Sequence, residues 1–360
     1  VATDICGLAA GPDGMLYGST MISMRLFRVD PTAKADALTD LGRVGWGSGE
    51  IYNQLACDGR VYFGSYGGGV FGVYDPSKPW DPKPGPSFDD PMGVPPEEID
   101  PHQQGGMGEG ANPRNLGQLG DGMNRPFEQV VGPDGRIYIA CRANYGMNGG
   151  GLARLDPDTD EVTVFRDEDQ SVQAVASDSR SVYFGTSILG GRGSDPTTAE
   201  ALFVIWDVEA ADREFSCVPV QGAAAITSLA VVESRGLVVG TTAPATTMPH
   251  APATAFVFDL AERQVIKTLS LCSPGTPLAG DPEAHGVVHI TTARDGDVYG
   301  VAGRHVFKLD TGTLRVSVLD KAPIANLYQI VESPAEELVF FMAAEGHVLK
   351  YCVHTTPHYR

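Results

Sequence analysis

Gly11-Pro-Asp-Gly-Met-Leu-Tyr17 returns as Gly132-Pro-Asp-Gly-Arg-Ile-Tyr138 and, with its opening shortened, as Cys57-Asp-Gly-Arg-Val-Tyr-Phe63. Asp-Gly supplies the positive-φ residues of a tight hairpin, and the apolar residues behind it read as a strand, so each copy is a corner between two strands. Looser copies stand at Asp178-Ser-Arg-Ser-Val-Tyr183, Glu233-Ser-Arg-Gly-Leu-Val238, Asp295-Gly-Asp-Val-Tyr299 and Pro334-Ala-Glu-Glu-Leu-Val339, which makes seven. A second turn trails each of them. It reads Phe27-Arg-Val-Asp-Pro31, Val73-Tyr-Asp-Pro76, Arg154-Leu-Asp-Pro157, Val204-Ile-Trp-Asp207, Val257-Phe-Asp259 and Phe307-Lys-Leu-Asp310, with Leu349-Lys-Tyr-Cys352 as the last. The stretch between the two turns varies in length; the turns themselves do not.

A strand precedes each first turn, and a polar-apolar alternation such as Glu161-Val-Thr-Val-Phe165 or Arg315-Val-Ser-Val-Leu319 follows most second turns. That gives four strands per unit. Seven such units at a period of about 40 to 45 residues predict an all-β fold, a seven-bladed β-propeller of four-stranded antiparallel blades. A two-sheet sandwich has no need of one turn repeated seven times. The whole chain, residues 1–360, reads as a single propeller domain with the chain ends meeting in the last blade, whose outer strand stays undecided. Asp58 and Asp134 are much further apart than one blade requires. The excess falls between residues 78 and 111, where Pro79, Pro82, Pro84, Pro86, Pro91, Pro95, Pro96 and Pro101 preclude regular structure. The chain is expected to leave near the third strand of blade two and to return through Asn112–Leu116 as its outer strand.

Composition agrees with this plan and narrows the partners. The 44 Gly and 26 Pro in 360 residues favour turns over helices, and 42% hydrophobic residues suffice for a core. A formal net charge of −19 disfavours nucleic acid and anionic membranes as partners. No apolar run approaches the roughly 20 residues that span a bilayer, so a soluble chain is expected, and an N-terminus without Met reads as trimmed. Cys6, Cys57, Cys141, Cys217, Cys272 and Cys352 form no C-x-x-C pair and are expected to be buried thiols.

In a propeller the first strand of each unit is innermost, and the variable connections gather on the rim opposite the Asp-Gly turns. Aligning the inner strands gives a candidate channel ring of Cys6, Asn53, Glu128, Gln173, Thr227, His289 and Gln329. Two readings stay open. Either these groups hydrate one another, or a ligand sits above them. The one candidate cofactor is calcium on Glu128 and Asn53, for which a single carboxylate is few. Around the ring the loops bring Trp46, Glu50, Tyr52, Asn124, Arg125, Arg142, Asn144, Tyr145, Asn148, Arg192, His250, His285 and Arg304. Arg114, Arg125, Arg142 and Arg192 either recognise a ligand carboxylate or pair with Glu50, Glu109, Asp121 and Asp195. There is no nucleophile elbow, P-loop or H-E-x-x-H motif, and no dinucleotide fingerprint before a helix.

Met24-Arg-Leu-Phe-Arg-Val-Asp30, Gly49-Glu-Ile-Tyr52, Asn124-Arg-Pro126, Tyr145-Gly-Met-Asn-Gly-Gly-Gly151 and Gln170-Ser-Val172 with Gly185-Thr-Ser-Ile188 resemble bacterial propeller proteins described only as repeat proteins. More remotely, the architecture is similar to the seven-bladed polysaccharide lyases, including the rhamnose–glucuronate lyases, whose sites use His, Tyr and Arg; no catalytic motif of theirs matches residue by residue. What the resemblance implies is β-elimination on a uronate-containing oligo- or polysaccharide. Arg125, Arg142 and Asn144 would neutralise the carboxylate, with His289 as base and Tyr145 as acid. Glu50, Tyr52, Asn53, Asn124, Glu128, Gln173, Arg192, His285 and Gln329 would line the substrate. The alternatives are a non-enzymatic glycan- or protein-binding scaffold and a calcium-dependent lactonase-like hydrolase, a class whose propellers have six blades. For stability, Phe127 is expected to pack between blades.

Overall fold

The computed structural model describes residues 5–21, 24–34, 37–44, 49–82, 110–120, 122–167, 169–244, 253–271, 288–324, 327–344 and 346–353. Its strands form seven antiparallel blades in chain order, numbered one to seven. Each runs outward from an inner strand. The inner strands are Ile5–Ala10, Ile51–Cys57, Met123–Val131, Ser171–Ser177, Ala223–Val232, His289–Thr292 and Gln329–Glu332. Six blades have four strands; among the described residues the seventh has three, ending in His347–Cys352. A single bridge, Ser187 to Ala225, joins blades four and five. Each inner strand packs beside the next, and the seventh packs beside the first, which closes the ring around a channel.

Both turn motifs perform the work read into them. In the second turn the aspartate oxygen accepts the amide two residues on, as in Asp30 from Thr32 at 2.8 Å, Asp207 from Glu209 at 2.8 Å and Asp310 from Gly312 at 3.0 Å. In the first turn it accepts the hydroxyl of the tyrosine that opens the next strand: Tyr17 to Asp13 at 2.8 Å, Tyr138 to Asp134 at 3.0 Å, Tyr183 to Asp178 at 2.6 Å and Tyr299 to Asp295 at 2.8 Å. In blades one, three, four and six the motif is therefore an aspartate plus a tyrosine. One aspartate both shapes the corner and satisfies a buried phenol.

Those pairs predict an alkaline limit to stability. Burial first, and then Asp134, push Tyr138 up to about 12, while burial and then Asp295 do the same to Tyr299, again to about 12. Tyr17 and Tyr183 are raised for the same reasons. A folded-state value above the ordinary 10 means that the native chain holds its proton longer than the unfolded one. The stabilisation is complete below that ordinary value and drains away as pH rises toward 12. Thermal denaturation followed from about pH 9 to about pH 12 should show a steep fall over the upper half of that range. Tyr138→Phe should flatten it, and an unchanged slope would remove the Tyr138–Asp134 pair from the account.

The core is divided among the junctions between blades rather than concentrated inside any one. One apolar cluster lies at each of the seven junctions. Close approach there depends on missing side chains. A Cβ on Gly185 would meet Ile226 of the next blade at 2.4 Å, and one on Gly64 would meet Pro126 at 2.4 Å.

The expected insertion in blade two lies mostly outside the described residues. Its base is visible: Asn112 bridges Asp81, and its side-chain amide clasps the backbone of Asp75 and Pro79 before the outer strand Arg114–Gln118. The cysteines meet the expectation of burial only in part, and Cys272 lies outside the described residues. Cys57 and Cys141 are buried, Cys6 and Cys217 are half-buried, and Cys352 is exposed on the outer strand of blade seven.

Candidate functional site

Five inner strands carry a β-bulge near their start, and this resets the channel ring. The extra residues are Cys6, Tyr52, Phe127, Gln173 and Thr227, each skipped by the partner strand. The residues that follow, Gly7, Asn53, Glu128, Ala174 and Ser228, share a register with His289 and Gln329. Cys6, Gln173 and Thr227 thus sit one position before that ring. Phe127 is half-buried on its bulge and meets the Tyr52 ring of blade two at 5.0 Å, so it does pack between blades, but at a partly exposed contact outside the buried core clusters.

Four ring side chains accept a backbone N–H from the following blade. Glu128 takes Val175 at 3.0 Å, Ser228 takes Ile290 at 3.2 Å, His289 Nδ1 takes Ile330 at 3.4 Å and Gln329 takes Leu8 at 2.7 Å. The last of these staples the seventh blade to the first. The same bond fixes the state of His289. With Nδ1 accepting, the neutral imidazole carries its proton on Nε2, which faces Glu128 Oε1 at 3.7 Å. No lone pair remains for taking a proton from a substrate, which weighs against the role of base. The ring opens on a cavity of about 450 Å³ that Asn53, Glu128, His289 and Gln329 help to line.

A second cluster occupies the variable rim of blades two to four. Arg125 and Arg142 stand directly opposite each other on the inner and second strands of blade three. Arg125 lies over the Tyr66 ring at 4.4 Å and near the Tyr145 ring at 5.7 Å, with Nη2 3.5 Å from the Tyr145 hydroxyl. The hydroxyls of Tyr66 and Tyr145 meet, and Tyr52 donates to Glu50. Burial, and next that Glu50 contact, raise the Tyr52 phenol above its ordinary value. Arg142 Nε donates to Gly190 O at 2.7 Å. Burial first, then the neighbouring Arg125, hold Arg142 below the ordinary arginine value. The Arg125 Nε is buried without a hydrogen-bond partner. Among the described residues no carboxylate forms an ion pair with either guanidinium.

The loops that frame this cluster are locked together. Gly146 N–H donates to Arg192 O at 3.0 Å, and Gly191 N–H to Met147 O at 2.8 Å. A Cβ on Gly191 would strike Asn144 O at 1.8 Å, so the glycine permits the contact. Asn124 is buried and accepts Gly68 N–H at 2.9 Å, a loop-holding role, while Asn144 accepts its neighbour Tyr145 N–H at 2.8 Å. The side chains of Asn144 and Arg192 are exposed.

The expected site residues thus divide into two groups. Arg125, Arg142, Tyr145, Tyr52 and Glu50 share the rim; His289, Glu128, Asn53 and Gln329 share the channel. Arg114 belongs to neither, because it forms a two-pronged ion pair with Asp160 of blade three, at 2.7 and 3.0 Å, on the Asp-Gly side. Arg304 caps the carbonyls of Ala322 and Pro323. Trp46, His250, His285, Glu109 and Asp121 lie outside the described residues. Tyr66 was not anticipated, although Ser65-Tyr66-Gly67 and Asn144-Tyr145-Gly146 occupy matching loops in successive blades. No group of three or more His, Cys, Asp or Glu converges on a metal position among the described residues. The calcium reading retains only Glu128 and Asn53, with one Glu128 oxygen already engaged by Val175.

No family model matches this chain, and no curated protein matches it. Among solved structures it is similar to virginiamycin B lyase from Staphylococcus aureus, with a TM-score of 0.62 and 11% identity over 97% of this chain and 94% of that one. It is also similar to the WD40 β-propeller domain of Doa1, with a TM-score of 0.61 and 11% identity over 97% and 92% of the two chains. The WD40 domain of Neurospora crassa Pan2 gives a TM-score of 0.59 and 13% identity over 97% and 88%. At such identities the likeness establishes the propeller fold and nothing about chemistry. No helix among the described residues is long and apolar enough to cross a membrane.

Proposed function

We propose that this propeller recognises a carboxylate-bearing oligosaccharide on the rim of blades two to four. The observation that carries the reading is the facing pair Arg125 and Arg142, with no carboxylate paired to either among the described residues. Like charges directly opposite on neighbouring strands destabilise a sheet, and a ligand carboxylate between them would turn that cost into charge-assisted hydrogen bonds. Tyr66 and Tyr145 add amphipathic rings suited to a sugar face. Calorimetric titration should show oligogalacturonate binding and the neutral oligogalactan failing to bind, with the difference shrinking in high salt. Equal affinity for both glycans would overturn the reading.

A second reading is β-elimination at the same place, favoured by the 3.5 Å approach of Arg125 to the Tyr145 hydroxyl. Two guanidinium groups would neutralise the uronate carboxylate, and the phenol would protonate the departing oxygen. His289 is not a member of this rim cluster and carries its proton on the wrong nitrogen for a base. One solved neighbour bears the name of a lyase, which at 11% identity supports the fold alone. Appearance of the ultraviolet absorbance of an unsaturated uronate would establish turnover; binding without it leaves recognition as the function.

A further inference from the structure

The geometry points to the central channel as a site for an organic ammonium ion held by Glu128, independently of the rim. Gln329, Ser228 and His289 each accept a backbone N–H from the next blade with an uncharged group. Glu128 does the same job for Val175 through Oε2, at 3.0 Å. A neutral amide would serve there as it does at Gln329, so stapling gives no reason for a charge. A secluded carboxylate is costly to desolvate without a counter-charge. Its side chain is only 15% exposed.

Among the described residues no Lys or Arg pairs with it. Among the described residues Glu128 is the one carboxylate lining the cavity, and no Lys or Arg lines it. His289 Nδ1 is engaged by the Ile330 N–H, and its Nε2 at 3.7 Å from Oε1 is beyond a good hydrogen bond. Oε1 therefore faces the channel unsatisfied among the described residues. Asn53 and Gln329 line the same space with uncharged side-chain amides, the Gln329 oxygen also holding Leu8 N–H, and the cavity of about 450 Å³ falls in the range of small-molecule sites. A primary ammonium, with three donors and one charge, matches one carboxylate oxygen plus neutral acceptors. A divalent metal asks for several anionic ligands on one point, and no such group is formed among the described residues.

The test uses n-butylammonium and its uncharged counterpart n-butanol, followed by the backbone amide resonances of Val175 and Ile330. The ammonium should shift both amides saturably and the alcohol should not. Glu128→Gln keeps an oxygen for Val175, so the ring should close, and it should lower affinity for the ammonium at least tenfold. Equal binding of alcohol and ammonium by the native protein would overturn the proposal without recourse to the variant. So would undiminished ammonium binding by folded Glu128→Gln, or saturable displacement of the ammonium by calcium, which would assign the site to a metal. Oligogalacturonate binding should be unaffected in Glu128→Gln, so failure of the channel site and failure of the rim site are read separately.

Discussion

Arg142→Ala should cost this protein at least thirtyfold in affinity for an oligogalacturonate while leaving its melting temperature within a few degrees of the native value. Truncating one partner of a buried, hydrogen-bonded charge pair in a binding site typically costs about 2–5 kcal/mol. Arg142 has the attributes of such a partner. It is half-buried, its Nε is anchored on Gly190 O at 2.7 Å, and burial together with Arg125 already holds it below the ordinary arginine value. Stability should move little because two terms oppose. Loss of the Gly190 hydrogen bond costs about 1 kcal/mol, whereas relief of the facing charge on Arg125 returns about 0.2–1 kcal/mol. Arg142→Lys should fall between, since lysine restores the charge but not the planar fork. Unchanged affinity in a folded Arg142→Ala protein would move the carboxylate site elsewhere on the rim.

The two candidate sites were legible in the sequence to different depths. Turn chemistry is local, so Asp13-Gly14, Asp134-Gly135 and Asp295-Gly296 declare their corners, and the repeat then dictates which rim the loops share. Arg125, Arg142 and Tyr145 could be placed on that rim for this reason. The channel register could not be read in the same way. A bulge inserts one residue on the inner strand alone, and nothing in the alternation of Ile51-Tyr-Asn-Gln54 or Val172-Gln-Ala-Val175 distinguishes the extra residue from its neighbours. Hence Gln173 and Thr227 were aligned with Glu128, when Ala174 and Ser228 are its equivalents. The tautomer of His289 was equally hidden, being set by an N–H of another blade, 41 positions along the chain.

The largest loss of stability is expected in the core of a blade junction, away from the bulges. Phe203→Ala should lower the free energy of unfolding by about 3–5 kcal/mol, the usual cost of emptying a buried aromatic site. Phe203 is 0% exposed on the third strand of blade four, and its ring meets Phe258 at 4.8 Å, Phe256 at 5.9 Å and Tyr183 at 6.2 Å. Those partners belong to both blade four and blade five, so the cavity would open at a junction that two rigid sheets cannot close by sliding together. Phe127→Ala removes the same side chain from the bulge of blade three, where it is half-buried and touches Tyr52 at 5.0 Å. It should cost about 1 kcal/mol, as a partly solvated aromatic contact does. Urea titrations of the two variants give the comparison through their midpoints, provided that the slope with denaturant stays constant. A Phe127→Ala midpoint shifted as far as that of Phe203→Ala would mean that the Phe127 ring is buried in the core of a blade junction, and would undo the bulge register on which the channel ring rests.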